Sequence, residues 1–154
     1  MARKAGKKMR GTKDFRPMDM KAYSIDDRFW KNKMEVVRTK MIPYQWKALN
    51  DLVEDAAPSH CVKNFRIAAG MEKGDFQGCV FQDSDLAKWL EAVGYTLAWK
   101  KDRELEQMAD EVIAVIEKAQ QPDGYLDTYY IINGWKKGGQ IYGTPRTILC
   151  RTYD

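Results

Sequence analysis

Histidine is nearly absent from this 154-residue sequence, and cysteine is scarce: His60 stands alone, and the three cysteines are Cys61, Cys79 and Cys150. An odd cysteine count without CxxC spacing excludes a disulfide-dense scaffold and offers no recognisable metal set, so the expected state is reduced thiols in a reducing compartment. No Ser/His/Asp set can be argued around one histidine, and neither a P-loop nor a GxGxxG motif is present. No stretch approaches 18 consecutive apolar residues, so no membrane span is expected. No apolar segment follows the first basic residues in the manner of a signal peptide, and the expected location is the cytoplasm.

What is present is an ordinary globular composition, 44% hydrophobic and 31% charged, enough for one domain with a real core. The net charge of +4 is unevenly placed. Residues 1–16 hold seven cations (Arg3, Lys4, Lys7, Lys8, Arg10, Lys13, Arg16) against Asp14, contributing +6, so the remainder sums to −2. Such a leader is either a solvated, disordered tail or a polyanion contact, and the second reading makes the chain a small helical nucleic-acid-binding module.

Residues 17–25 read as an extended lead-in. A helix is expected to begin at Asp26 or Asp27, where a carboxylate suits unpaired N–H groups, with Phe29, Met34, Val37 and Met41 on its apolar side. Pro43 fits the first turn of a second helix over 43–55, ended by Pro58. Residues 59–82, with Gly70, Gly74 and Gly78 and no sustained period, read as a structured loop with a short extended piece at 78–81. Asp83 or Ser84 then caps a helix in which Leu86, Trp89, Leu90, Val93 and Leu97 recur at helical spacing. Asp102 opens another, with Leu105, Met108, Val112, Val115, Ile116 and Ala119 on one face. The pair reads as an antiparallel αα-hairpin. Pro122, Asp123 and Gly124 supply a stop and turn, followed by an apolar aromatic patch, Tyr125 to Ile132.

Paired carboxylates are the first chemical candidates, since glycosidic hydrolysis needs an acid and a base about one bond. Asp83 and Asp85 flank a helix start and Asp75 precedes them. A helix N-terminus stabilises the anion, which predicts lowered pKa values and a role as hydrogen-bond acceptors, or simple capping. The turn 120–126 gathers amide, carboxylate and aromatic groups suited to a sugar ring, or merely packs one Tyr. Trp89 and Trp99 read as core, and Cys79 as an inert thiol.

Three colinear segments, 29–46 (FWKNKMEVVRTKMIPYQW), 64–98 (NFRIAAGMEKGDFQGCVFQDSDLAKWLEAVGYTLA) and 119–131 (AQQPDGYLDTYYI), resemble glycoside hydrolase family 127, the β-L-arabinofuranosidase family. The likeness covers roughly residues 23–137. It implies an all-α fragment of an incomplete (α/α)6 barrel built from antiparallel helical hairpins, after a basic leader over 1–22. It implies an enzyme that, when intact, removes non-reducing-end β-L-arabinofuranose with retention, from an arabinose-containing oligosaccharide or glycoconjugate. In that family zinc holds a cysteine nucleophile and a glutamate serves as acid/base. Those groups lie downstream of the matched region, so this chain is expected to hold no catalytic residue and no zinc ligand, and to be inactive alone. By the same resemblance Gln45, Phe81, Asp83, Asp85, Asp123 and Tyr125 are the expected substrate-binding residues.

The resemblance stops after Lys137. Family members continue with Trp-Thr-Asn-Leu and then His-Glu-Leu-Tyr-Cys-Ala-Gly-His, whereas this chain has the aberrant tail 138–154. Codons permitted for Thr144 to Asp154, shifted by one base, read His-His-Glu-Leu-Tyr-Cys-Ala-Gly-His-Met-Ile; permitted codons for Lys137 to Tyr142, shifted the other way, read Arg-Trp-Thr-Asn-Leu. Two small frame changes are the expected cause. A fragment so made is expected to leave Leu86, Leu90, Val93, Val112 and Ile116 partly uncovered and to self-associate through those faces.

Overall fold

The computed structural model describes residues 19–134, and every regular element within them is helical. The leader up to residue 18, and the tail on which the frame-change expectation falls, lie outside the described residues. The lead-in expected to be extended contains a single 3-10 turn, Met20–Ala22.

Helix α1, Arg28–Val36, starts where the carboxylates predict: Asp27 is the N-cap, and its side chain accepts from the Trp30 N–H at 2.9 Å. The two expected helices are one rod with a defect. Residues Val37–Met41 form a π turn, in which the Ile42 N–H bonds to the Val37 carbonyl, before α2, Ile42–Leu49. Pro43 has no N–H to give to the carbonyl four residues back, and the wider turn absorbs that missing bond. Helix α2 stops at Leu49, short of the expected 55, and the Asp51–Ser59 stretch is irregular.

Residues 59–82 correct the sequence reading. Cys61–Ala68 is a helix, α3, and no strand forms at 78–81. The Asn64 side chain, 1% exposed, pins the following loop: its Nδ2 donates to the Gln77 carbonyl at 2.8 Å and its Oδ1 accepts from the Gln77 N–H at 3.2 Å. Gly78 sits at φ +93°, where a Cβ would overlap the Gln82 amide oxygen that the Cys79 N–H donates to.

Helices α4, Asp83–Trp99, and α5, Arg103–Ala119, make the expected hairpin, with Asp102 capping α5 by accepting from the Leu105 N–H at 3.2 Å. The cap of α4 differs from expectation: Gln82 is the N-cap and makes no side-chain cap bond, Asp83 lies inside the first turn, and the Ser84 hydroxyl donates to the Phe81 carbonyl. The aromatic patch resolves into α6, Thr128–Asn133, capped by Asp127.

Helix α3 packs against α4, α5 and α6, and α2 lies along α4. Their common core is Ile42, Leu49, Val62, Phe65, Leu86, Trp89, Val93, Leu105 and Val112, with Cys61 and Ala119 fully enclosed. The Trp89 indole stacks at a 33° tilt on Trp46 and donates its N–H to the Ile42 carbonyl at 3.2 Å, locking α4 to α2. Of the hairpin residues expected to be partly uncovered, Leu86, Val93 and Val112 are buried, where α2, α3 and the hairpin itself pack, while Leu90 and Ile116 are half-buried. The uncovered helix is α1, none of whose residues is buried.

Candidate functional site

Two of the expected substrate-binding side chains converge. Gln45 on α2 and Asp85 in the first turn of α4 line one groove of about 680 Å³, whose floor includes Ile42 and Trp89. The packing of α2 on α4 brings them together across forty residues of sequence. Lys88, one turn after Asp85, is in the same groove with its Nζ 3.3 Å from Asp85 Oδ1, and Gln82 adds a second amide. Neither was expected from the sequence, although Lys88 at i+3 from Asp85 is a readable helical pairing.

The rest of the lining is Val37 and Met41 of the π turn, Ala48 and Leu49 of α2, Ala92 of α4 and Ala57–Ser59, the last held by a strained loop closure. Asp51 and His60 are both in the left-handed region, at φ 59° and 57°. The Asp51 carboxylate accepts the His60 N–H at 2.8 Å with one oxygen and sits 3.0 Å from its Nδ1 with the other.

Asp83 lies apart from the groove lining, in a closed corner. Its two oxygens accept from the Thr128 N–H at 2.7 Å and the Thr128 hydroxyl at 2.6 Å, so it joins the start of α4 to the start of α6. The lowered pKa expected there is reversed. Burial pushes the Asp83 carboxyl above its ordinary value, and the two bonds from Thr128 offset only part of that. Tyr125 shares this corner: burial, then Asp127, Tyr130 and Asp83, push its phenol up to about 12, and its buried hydroxyl has no hydrogen-bond partner among the described residues. Asp127 is raised as well, first by burial. Asp123 is exposed and accepts the Tyr125 N–H at 3.0 Å in the turn, and Phe81, 75% exposed, is absent from the groove lining. Asp75, the third carboxylate considered, is exposed in the loop after α3.

The donor set does not fit zinc. Cys61 is enclosed, its Sγ donates to the Gln82 carbonyl at 3.2 Å, and burial pushes its thiol up to about 12. Among the described residues no three His, Cys, Asp or Glu side chains gather as a metal would need. The groove offers amides, a carboxylate and an ammonium beside an indole, which are partners for hydroxyl groups on a small ring.

Comparison with known proteins agrees in kind. The family model for the β-L-arabinofuranosidase GH127 catalytic domain matches residues 23–144. A non-reducing end β-L-arabinofuranosidase of Bifidobacterium longum subsp. longum is 41% identical, over 82% of this chain and 20% of its own length. The crystal structure of a GH127 β-L-arabinofuranosidase from Geobacillus stearothermophilus T6 superposes with a TM-score of 0.69 at 61% identity, covering 71% of this chain and 17% of that one. A second GH127 β-arabinofuranosidase structure gives 0.63 at 26% identity, with 75% and 17% covered.

The helices and the match together define part of a glycoside hydrolase. The chain belongs to glycoside hydrolase family 127 and spans about a fifth of the length of the curated relative it matches.

Proposed function

We propose that this chain supplies one wall of the sugar-binding cleft of a β-L-arabinofuranosidase whose other walls and reacting groups come from the remaining four-fifths of such an enzyme. The observation that carries the proposal is the convergence of Gln45 and Asp85 on one groove within a segment matched to the family's catalytic domain. Asp85 accepts hydrogen bonds from sugar hydroxyls, Gln45 can donate and accept, and Trp89 sets the floor. Asp83, Asp123 and Tyr125 act behind this wall, fixing α4, the turn and α6. Phe81 is free to meet the sugar or its aglycone from outside the groove.

Retention of configuration through a cysteine nucleophile and a glutamate acid/base follows from the family resemblance and belongs to groups beyond residues 23–137. Zinc, which the family implies, would bind there also, since the residues described here do not fit it. The proposed boundaries remain a leader over 1–22, the barrel segment over 23–137 and an aberrant tail over 138–154 produced by frame changes. The proposed substrate is an arabinose-containing oligosaccharide or glycoconjugate, and the proposed location is the cytoplasm.

The test has two arms. The purified 154-residue chain should release no aryl leaving group from an aryl β-L-arabinofuranoside, and turnover by it would overturn the division of labour. In the Geobacillus relative, alanine at the positions matching Gln45 and Asp85 should raise KM by roughly tenfold each, the loss of about one good hydrogen bond. An unchanged KM would remove the groove from the cleft.

A further inference from the structure

Helix α1 takes no part in the groove or in the core. It is amphipathic and well capped, yet none of its residues is buried. Phe29 and Trp30 are each 58% exposed, with rings edge to face at 5.2 Å, and Val36 and Tyr44 extend the exposed apolar strip past the π turn to α2. Helix α1 is carried by the rod that continues through the π turn into α2, yet an amphipathic helix ordinarily packs its apolar face. Among the described residues nothing buries that face, which leaves it open to a covering surface.

Charge narrows what covers it. Between Arg28 and Lys47 there are six cations against one anion, Glu35; Lys31 is paired with Asp26 and Arg38 with Glu35 and Asp102, so the excess is carried by Arg28, Lys33, Lys40 and Lys47. Two of them interleave with the strip: Lys33 sits 5.3 Å from the Phe29 ring centroid, and Lys40 is exposed between Val36 and Tyr44. A second copy would bring like charges together, which disfavours it. The chain's helices superpose on a chain of which they make up only 17%, so their arrangement is one adopted inside a much larger body.

We propose that the strip formed by Phe29, Trp30, Val36 and Tyr44 docks on the remaining part of a family 127 chain, at an apolar surface flanked by carboxylates. The docking is the same whether that part is continuous with this chain or supplied as a separate polypeptide, so this chain can complement a family enzyme lacking the matching segment. The inference rests on the family reading. It adds the surface, its partner and its independence from covalent linkage.

The test is co-expression of the tagged 154-residue chain with the Geobacillus relative deleted for the segment matching residues 23–134. The deleted relative should become soluble and co-purify in equal amount. Phe29→Glu combined with Val36→Glu should lower its recovery by roughly tenfold or more while the chain's own far-ultraviolet circular dichroism is unchanged. Lys33→Glu, which leaves the apolar strip intact, should lower recovery less and in a salt-dependent way. A deleted relative that stays insoluble or fails to co-purify overturns the proposal, as does equal recovery with the double variant. A homodimer of the chain alone that the double variant abolishes also overturns it, by assigning the strip to a second copy. Turnover of an aryl β-L-arabinofuranoside by the complex is read separately: a complex without turnover keeps the docking surface and removes the arabinofuranosidase reading.

Discussion

The two ends of α4 both rest on carboxylates and use them in opposite ways. At its first turn Asp83 is withdrawn from water, gives both oxygens to Thr128, and has its carboxyl raised by burial. At its far end Asp102 and Glu35 lie at the surface around Arg38, which donates to both at 2.8 Å, while Lys100 also pairs with Glu35. Asp102 is held below its ordinary value, first by the Leu105 N–H, and Glu35 first by Lys100. The same group thus changes sign with its distance from water, since desolvation dominates at one end and donors dominate at the other.

The largest effect should come from the buried end. Thr128→Val keeps the N–H bond but removes the hydroxyl from a carboxylate inside the protein; the expected loss is about 2 kcal/mol in urea unfolding. A loss as small as that of an exposed substitution would place Asp83 in water after all. Asp102→Ala removes the α5 cap and should cost about 1 kcal/mol by the same measurement.

The smallest effect is the sharpest, because only its sign matters. Asp83 titrates above its ordinary 3.8 in the folded chain, so its contribution to stability is full below that value and is lost as pH rises through the folded one. Glu35 titrates below its ordinary 4.5, so its contribution is present above that value and lost as pH falls. The stability of Asp83→Asn relative to the parent should therefore rise between about pH 3 and about pH 6, and that of Glu35→Gln should fall. Parallel slopes would collapse the distinction between the two ends.

Much of this was legible in the sequence. The hairpin showed because α4 and α5 each run 17 residues with an apolar period, and Asp27 and Asp102 showed as caps because their side chains do what that position asks. Three colinear segments carried the family. Helix α3 did not show, for a physical reason: it has two turns, and its N-cap, His60, stands in a left-handed conformation and makes no cap bond, so no start signal is written there. The uncovered faces expected from truncation are found only in part: Leu86, Val93 and Val112 are buried with α3 in the core, while Leu90 and Ile116 stay half-buried and α1 has no buried residue. The resemblance named Gln45 and Asp85, but their meeting depends on Trp89 reaching the Ile42 carbonyl, a tertiary bond that no local pattern encodes.

The π turn at Val37–Met41 makes chain length itself a design variable in this region. Removing one residue from it would close the wide turn into ordinary helix and leave α1 facing nearly as before, at the cost of setting Pro43 inside a regular helix. A deletion within α1 or α2 has no wide turn to absorb it, and would swing everything before it by about 100° and draw it in by about 1.5 Å. The π turn is then the place in this rod where a change of length leaves the aim of the first helix intact.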